Sequence, residues 1–197
     1  MSNTCINKKQ LRKEILAKRR CFGAENIAAE SAQITEHLCA WPQYQAAKTI
    51  MLFMSMPDEP QLKAVIEHAL ANGKTVCIPH TREDYGLMDA AVIRSFDDLV
   101  VGQFDILVPD PAKLNILEPE ALDLIVVPGV AFERCGKRCG MGAGYYDRFL
   151  TKAQNALLIG VSLSCQIVPE VPCDEYDHLV EYIVTPCGII DCNAGKM

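Results

Sequence analysis

Apolar residues in this chain come in two rhythms that take turns. Residues about 8–21 and 25–40 carry them at helical spacing, in "LRKEIL" and at Ile34, Leu38 and Trp41. A third helix is the clearest: Leu62, Val65, Ile66, Ala69 and Leu70 fall at i, i+3, i+4, i+7 and i+8, and Asn72 to Lys74 ("NGK") closes it with C-cap chemistry. Between such segments lie short, nearly continuous apolar runs: "TIMLFMS" (49–55), "TVCIP" (75–79), "LDLIVVP" (122–128), "ALLIGVSL" (156–163) and "EYIVTP" (181–186). Buried strands interleaved with amphipathic helices predict an α/β fold with a mostly parallel sheet covered by helices on both faces. The stretch from about 86 to 119, with Asp97, Asp98, Pro109, Pro111 and Pro119, is the least regular and is expected to hold one or two short strands and long connections. No composition shift marks a boundary, so one domain spanning 1–197 is expected.

Open sheets of this kind gather ligands beyond the carboxyl ends of their strands. The segments directly after the first four runs are "MPDEP", "HTRED", "ERCGKRCGMGAGYYDRFL" and "CQIVPEVPCDEYDHL". All are charged, which favours one polar site over scattered solvated loops.

Composition narrows the picture. Half of the 197 residues are hydrophobic and 22% are charged, as in a folded globule. The net charge of -6 gives no reason to expect nucleic-acid binding, although Lys8 to Arg20 holds seven basic residues against Glu14 alone. The N-terminus lacks a secretory signal, and no run approaches the roughly 18 apolar residues of a membrane span. A cytoplasmic protein without membrane contact is the expectation. The ten cysteines include no CxxC pair, and no histidine is placed to complete a zinc site beside the closest spacings, Cys135 to Cys139 and Cys187 to Cys192. They read as reduced thiols serving as small apolar residues.

The glycine stretch carries the chemistry. Glycines at 140, 142 and 144 allow positive φ and close approach of a ligand, and successive N–H groups in such a turn can cradle an anion. "YYDRFL" reads as a helix whose N-terminus faces the turn. Arg134, Lys137, Arg138 and Arg148 supply donors for phosphate, and Asp147 is placed to hold magnesium beside phosphate oxygens. The pattern is neither a Walker A loop nor the dinucleotide fingerprint, and by itself a glycine turn after a strand also suits a purely structural role. Packing on the sheet is the expected role of at least one of Tyr145 and Tyr146.

"LDLIVVPGVAFERCGKRCGMGAGYYDRFL" closely resembles the signature of the 5-formyltetrahydrofolate cyclo-ligase family. "KKQLR", "MLFMSMPDEP", "CIPHTR", "VPDP", "QIVPEVPCDEYD" and "VTP" follow the family pattern in order, so the resemblance spans nearly the whole chain. It implies a three-layer α/β sandwich and conversion of 5-formyltetrahydrofolate to 5,10-methenyltetrahydrofolate with ATP and magnesium. In that reaction the formyl oxygen takes the γ-phosphoryl group before ring closure expels phosphate. A monomer is expected.

Position by position, the resemblance implies ATP contacts at Lys8, Lys9 and Arg12 and along Arg138, Cys139, Gly140, Met141, Gly142, Ala143, Gly144, Tyr145 and Tyr146. Arg138 and Lys8 are the implied catalytic cations. Met54, Glu59, Gly142, Gly144 and Tyr145 match folate-contacting positions, with Glu59 accepting from pterin N–H groups. Asp147 and Asp177 match magnesium-associated acids. From the residues alone, Met54 reads as core, Glu59 as a helix N-terminal charge and Asp177 as part of a solvated acidic loop. Lys13, Lys18 and Arg19 read as a solvated helix face. His80 and Arg82 are expected near the nucleotide or the folate tail. Met141 and Ala143 stand where some relatives carry basic residues, which shifts the phosphate charge to Arg138, Lys8 and Arg12, and Cys139 replaces a usual leucine. A sugar-phosphate isomerase or CoA-transferase relative would share the fold, but "SMPDE" argues against it. A folate- or nucleotide-binding module without turnover is the remaining alternative.

Overall fold

The computed structural model describes residues 7–194. The Asn7 side chain accepts the Gln10 N–H at 2.9 Å and so caps α1 (Lys8–Phe22). Gly23, at φ 86°, turns the chain at once into α2 (Ala24–Ala40), and Pro42 opens the short α3 (Pro42–Ala46). There follow β1 (Thr49–Met51), α4 (Lys63–Ala71), β2 (Thr75–Thr81) and β3 (Met88–Ile93). β4 (Leu99–Val101), β5 (Leu107–Pro109), β6 (Ile116–Leu117) and β7 (Leu124–Val127) come next. β8 (Ala131–Glu133) and β9 (Arg138–Cys139) form a hairpin ahead of α5 (Tyr145–Leu150). β10 (Leu157–Val161), β11 (Ile167–Val168), β12 (Tyr182–Thr185) and β13 (Gly188–Asp191) complete the chain.

Eight strands form the main sheet in the order β13-β12-β10-β7-β1-β2-β3-β6. The inner five, β12 to β2, are parallel, while β13, β3 and β6 join antiparallel at the two edges. Alternate residues of the inner strands feed two cores. Ile50, Val76, Leu124, Val126, Ile159 and Val184 face α2 and α4 through Ile34, Leu38, Val65 and Ile66. Met51, Cys77, Ile125, Val127 and Ile183 pack with Phe132 and with Phe149 and Leu150 at the end of α5. The sandwich expected from the sequence is therefore present, with its second face covered by one short helix and by Phe132.

The first strand is shorter than its apolar run. After the Leu52 N–H bonds Cys77 O at 2.9 Å, the chain leaves the ladder for a turn closed by Ser55, whose hydroxyl donates to Pro60 O at 2.6 Å. Conversely, the stretch around 86–119 holds four strands where one or two were expected. Its prolines and aspartates mark the turns, and β3 holds its ladder with four of its six residues buried. Among the described residues no helix is long and apolar enough to cross a membrane.

In chain order the parallel strands run 5-4-3-1-2 across the sheet, so the winding reverses between β1 and β7. Such a switch point leaves a crevice at the strands' carboxyl ends. Over it lies the small sheet β11-β8-β9. α1 packs on that sheet, Leu11 and Ile15 meeting Val130, Ala131, Cys139 and Val171.

Candidate active site

A cavity of about 290 Å³ fills the crevice. Phe53 and Met54 from the end of β1, Ile78 and Pro79 from β2, and Ile106 and Val108 from the β4–β5 hairpin form its apolar wall. Glu59, Arg138 and Asp147 are its charged groups, and the glycine loop from Gly140 to Gly144 forms its rim with Tyr145 and Tyr146.

Arg138 is a β9 residue, only 6% exposed. Its guanidinium donates to Pro128 O at 3.2 Å and to Asp147 Oδ1 at 2.6 Å, and its Nε is buried with no partner among the described residues. A buried cation with a spare donor at a cavity wall is suited to an anion. The loop beyond it is open because its glycines leave room: Gly142 and Gly144 adopt φ 104° and 72°, and a Cβ on Gly144 would stand 2.9 Å from Arg148 Nη1. Gly140 has no positive φ. Its need is space, since a Cβ there would meet Arg138 Nη1 at 2.8 Å.

α1 reaches the loop from the side. Arg12 Nε donates to Gly140 O at 2.7 Å, and Lys8 Nζ bridges Asp174 at 2.6 Å and Asp177 at 2.5 Å. Burial pulls the Lys8 ammonium down, but its hydrogen bonds to the two aspartates reverse this and leave its pKa above the ordinary lysine value. Burial likewise lifts Asp177, yet the Asp174 N–H and the Lys8 ammonium bring it below the usual carboxylate range. Lys8, Lys9, Arg12 and Asp177 do not line the cavity, and Lys9 is exposed. Cys139 is buried behind the loop against α1. Met141 is 57% exposed at the rim. The Tyr145 ring stacks edge-on against exposed Tyr85, and the Tyr146 hydroxyl is buried without a partner among the described residues, burial pushing its phenol up.

Glu59 Oε2 accepts the Met56 N–H at 3.0 Å inside a tight turn. Burial raises its pKa against the opposing pull of that N–H and of Arg19. One cavity thus brings together apolar side chains, a buried carboxylate, a buried guanidinium and a glycine rim, with the Tyr146 phenol within electrostatic reach of both Glu59 and Arg138.

The model of the 5-formyltetrahydrofolate cyclo-ligase family matches residues 5–186. The chain belongs to that family. Membership makes it an enzyme, a ligase. The 5-formyltetrahydrofolate cyclo-ligase of Mus musculus is 29% identical over 187 residues, covering 90% of this chain and 92% of its own. That of Haemophilus influenzae is 32% identical over 176 residues, covering 86% and 92%. The NMR structure of Aquifex aeolicus 5,10-methenyltetrahydrofolate synthetase superposes with a TM-score of 0.83 at 30% identity, covering 96% of this chain and 95% of its own.

Several residues sit elsewhere than the cyclo-ligase resemblance or the helical pattern suggested. Arg19, expected on a solvated face, is 1% exposed and donates from Nε to Asp58 O at 2.9 Å and from Nη2 to Asp58 Oδ1 at 2.7 Å. The signal was available: Arg19 follows Leu11 and Ile15 at the same helical spacing, so it lies on the buried stripe. Arg148, expected as a phosphate donor, instead holds two loops together through Gly86 O at 3.0 Å and Ala143 O at 2.6 Å. Arg82 pairs with Asp89 across the β2–β3 ladder and does not line the cavity. The β4–β5 wall had no signal, because its short strands lie in the least regular segment.

For magnesium, the fit rests on the donors. Asp147 lines the cavity with one oxygen on Arg138, and Asp177 is bonded to Lys8. Among the described residues no group of three or more His, Cys, Asp or Glu side chains gathers. Magnesium is ordinarily held by one or two carboxylates together with substrate phosphates and water, and Asp147 supplies a carboxylate at the cavity. The hard-oxygen donor set fits.

Proposed function

We propose that this family member converts 5-formyltetrahydrofolate to 5,10-methenyltetrahydrofolate in an ATP- and magnesium-dependent reaction through a phosphorylated formyl group. The observation that carries this reading is that one cavity holds apolar side chains, the Glu59 carboxylate, the Arg138 guanidinium and the glycine loop together. Its apolar side chains and Glu59 suit a flat pterin whose N–H donors need a buried acceptor. Its glycine rim and Arg138 suit the triphosphate.

In this reading the formyl oxygen attacks the γ-phosphorus and ADP departs, leaving the formyl carbon bonded to a phosphate oxygen. N10 of the folate attacks that carbon, the carbon–oxygen bond breaks, and phosphate leaves as N10 loses its proton. Phosphorylation turns a poor oxygen leaving group into a good one, so the protein chiefly positions the reactants and stabilises charge. Arg138 would hold the transferring group, with Arg12 fixing the loop at Gly140, and Lys8 would add charge on release from Asp174 and Asp177. Met54 and Tyr145 would flank the folate. Asp147 and Asp177 would hold magnesium, which supplies positive charge to the phosphate oxygens when bound.

The test is direct. The purified protein is mixed with 5-formyltetrahydrofolate and magnesium-ATP, and the ultraviolet band of the methenyl product is followed against controls without ATP and with chelator. The expected result is growth of that band only when both ATP and magnesium are present. A flat trace defeats the reading, and a band that grows in chelator removes the metal from it.

A further inference from the structure

Arg19 lies two turns of α1 beyond Arg12, which holds the glycine loop at Gly140. Its guanidinium is 1% exposed; Nε and Nη2 bind one short turn, and Nη1 is buried without a partner among the described residues. Nε takes the Asp58 carbonyl and Nη2 the Asp58 carboxylate, while Nη2 stands 3.5 Å from Glu59 Oε1. The same turn is braced twice more. Gln61 Nε2 donates to Met56 O at 2.8 Å and to Glu59 O at 2.7 Å, and the Met56 N–H occupies Glu59 Oε2. Oε1 is therefore the oxygen left for a ligand, and Arg19 is the cation beside it. Glu59 itself is 7% exposed. A carboxylate so placed is costly to keep charged without a counter-ion.

We infer that Arg19 is a positioning residue for the folate substrate, holding the Glu59 carboxylate in place as acceptor for the paired N–H donors of an aminopyrimidine ring. The inference rests on the cyclo-ligase reading given above and adds to it the group that makes Glu59 competent. Three ionisable groups bear on Glu59: Arg19 from α1 and Asp58 in its own turn act on it, and its charge in turn acts on the Tyr146 phenol of α5. Arg138 and Asp147 face the same cavity but are paired with each other. Arg19 favours the ionised form of Glu59, and Asp58 opposes it.

The two neighbours pull in opposite directions, so removing one or the other displaces the Glu59 titration in opposite senses. Folate recognition by an ionised Glu59 is lost as pH falls through its pKa. Arg19→Gln should raise the KM for 5-formyltetrahydrofolate by about tenfold or more, leave that for ATP unchanged, and move the acid limb of kcat/KM up by about one pH unit or more. Arg19→Lys, which keeps the charge without the fork, should fall between. Asp58→Asn should move the acid limb down. Because the Asp58 side chain is partly exposed, this second variant keeps the test alive if Arg19→Gln does not fold.

The experiment is the methenyl-absorbance assay across pH on the unsubstituted protein and the three variants. Opposite displacements of the acid limb, with the effect confined to the folate KM, establish the inference. An acid limb that stays put, or a fall in kcat with both KM values unmoved, overturns it alone. No turnover by the unsubstituted protein overturns the cyclo-ligase reading and this inference with it.

Discussion

Arg138 and Asp147 are asymmetric partners. The guanidinium is 6% exposed, whereas the Asp147 side chain is 26% exposed and meets water on its free side. Removing the carboxylate leaves a buried cation with Pro128 O as its remaining partner. Removing the cation leaves a carboxylate that water can solvate. Asp147→Ala is therefore expected to cost about 3–5 kcal/mol, the range for an uncompensated buried charge. Arg138→Ala should cost about 1–3 kcal/mol. Both should lose turnover by a factor of about 100 or more, as when one preorganised donor is removed. Denaturant midpoints and kcat on the same preparations check the order. If Arg138→Ala proves the less stable of the two, the assignment of which member is buried at a cost is wrong.

α1 gathers its chemistry on one stripe: Lys8, Arg12 and Arg19 share the face of Leu11 and Ile15. The basic run was legible as a helix, but its division into spent and solvated cations was not. Arg19 reads as surface by residue type and as core by position, and only the turn at Asp58 and Glu59, brought over from β1, decides between them. The glycine loop was legible as an open turn because Gly142 and Gly144 take positive φ and Gly140 has no room for a side chain. The hairpin that precedes it was not, since β8 and β9 are three and two residues long. Lys8 gives the helix a pH-dependent tie. Asp177 lies below its ordinary pKa, so the tie stabilises above the unfolded carboxylate value and is lost as pH falls through the lower folded one. Lys8 lies above its ordinary pKa, so its share is complete below the unfolded lysine value and is lost as pH rises through the higher folded one. Lys8→Met should therefore lower Tm between about pH 4 and about pH 10.5, with the difference fading outside that window. Thermal melts across pH measure it, and a difference that persists unchanged well below pH 4 would refute the tie.

At the scale of the molecule, the parallel sheet and its two cores followed from apolar runs that bury on both faces, but the strand order did not. The switch between β1 and β7 depends on which edge each crossover takes, and no local pattern records that. Phe132, together with Ile167 of β11, packs the small sheet onto a core of the large one. Phe132 of β8 is fully buried, and a Cβ built on Gly129 or on Gly160 of β10 would come within 2.5 Å of it. Phe132 also faces Arg138 across the β8–β9 pair. A methyl group at 160 must therefore push the ring, and the strand paired with the ring's own, β9, carries the guanidinium at the cavity wall. Gly160→Ala is expected to destabilise by about 1–3 kcal/mol, as overpacking does, and to lower kcat although residue 160 does not line the cavity. Adding Phe132→Leu, which makes room for the methyl, should recover part of both losses. A double-mutant cycle on stability and kcat reads this coupling. Strictly additive effects would mean that the two sheets are not tied through this ring, and a stable, fully active Gly160→Ala would mean that the ring can move without carrying Arg138.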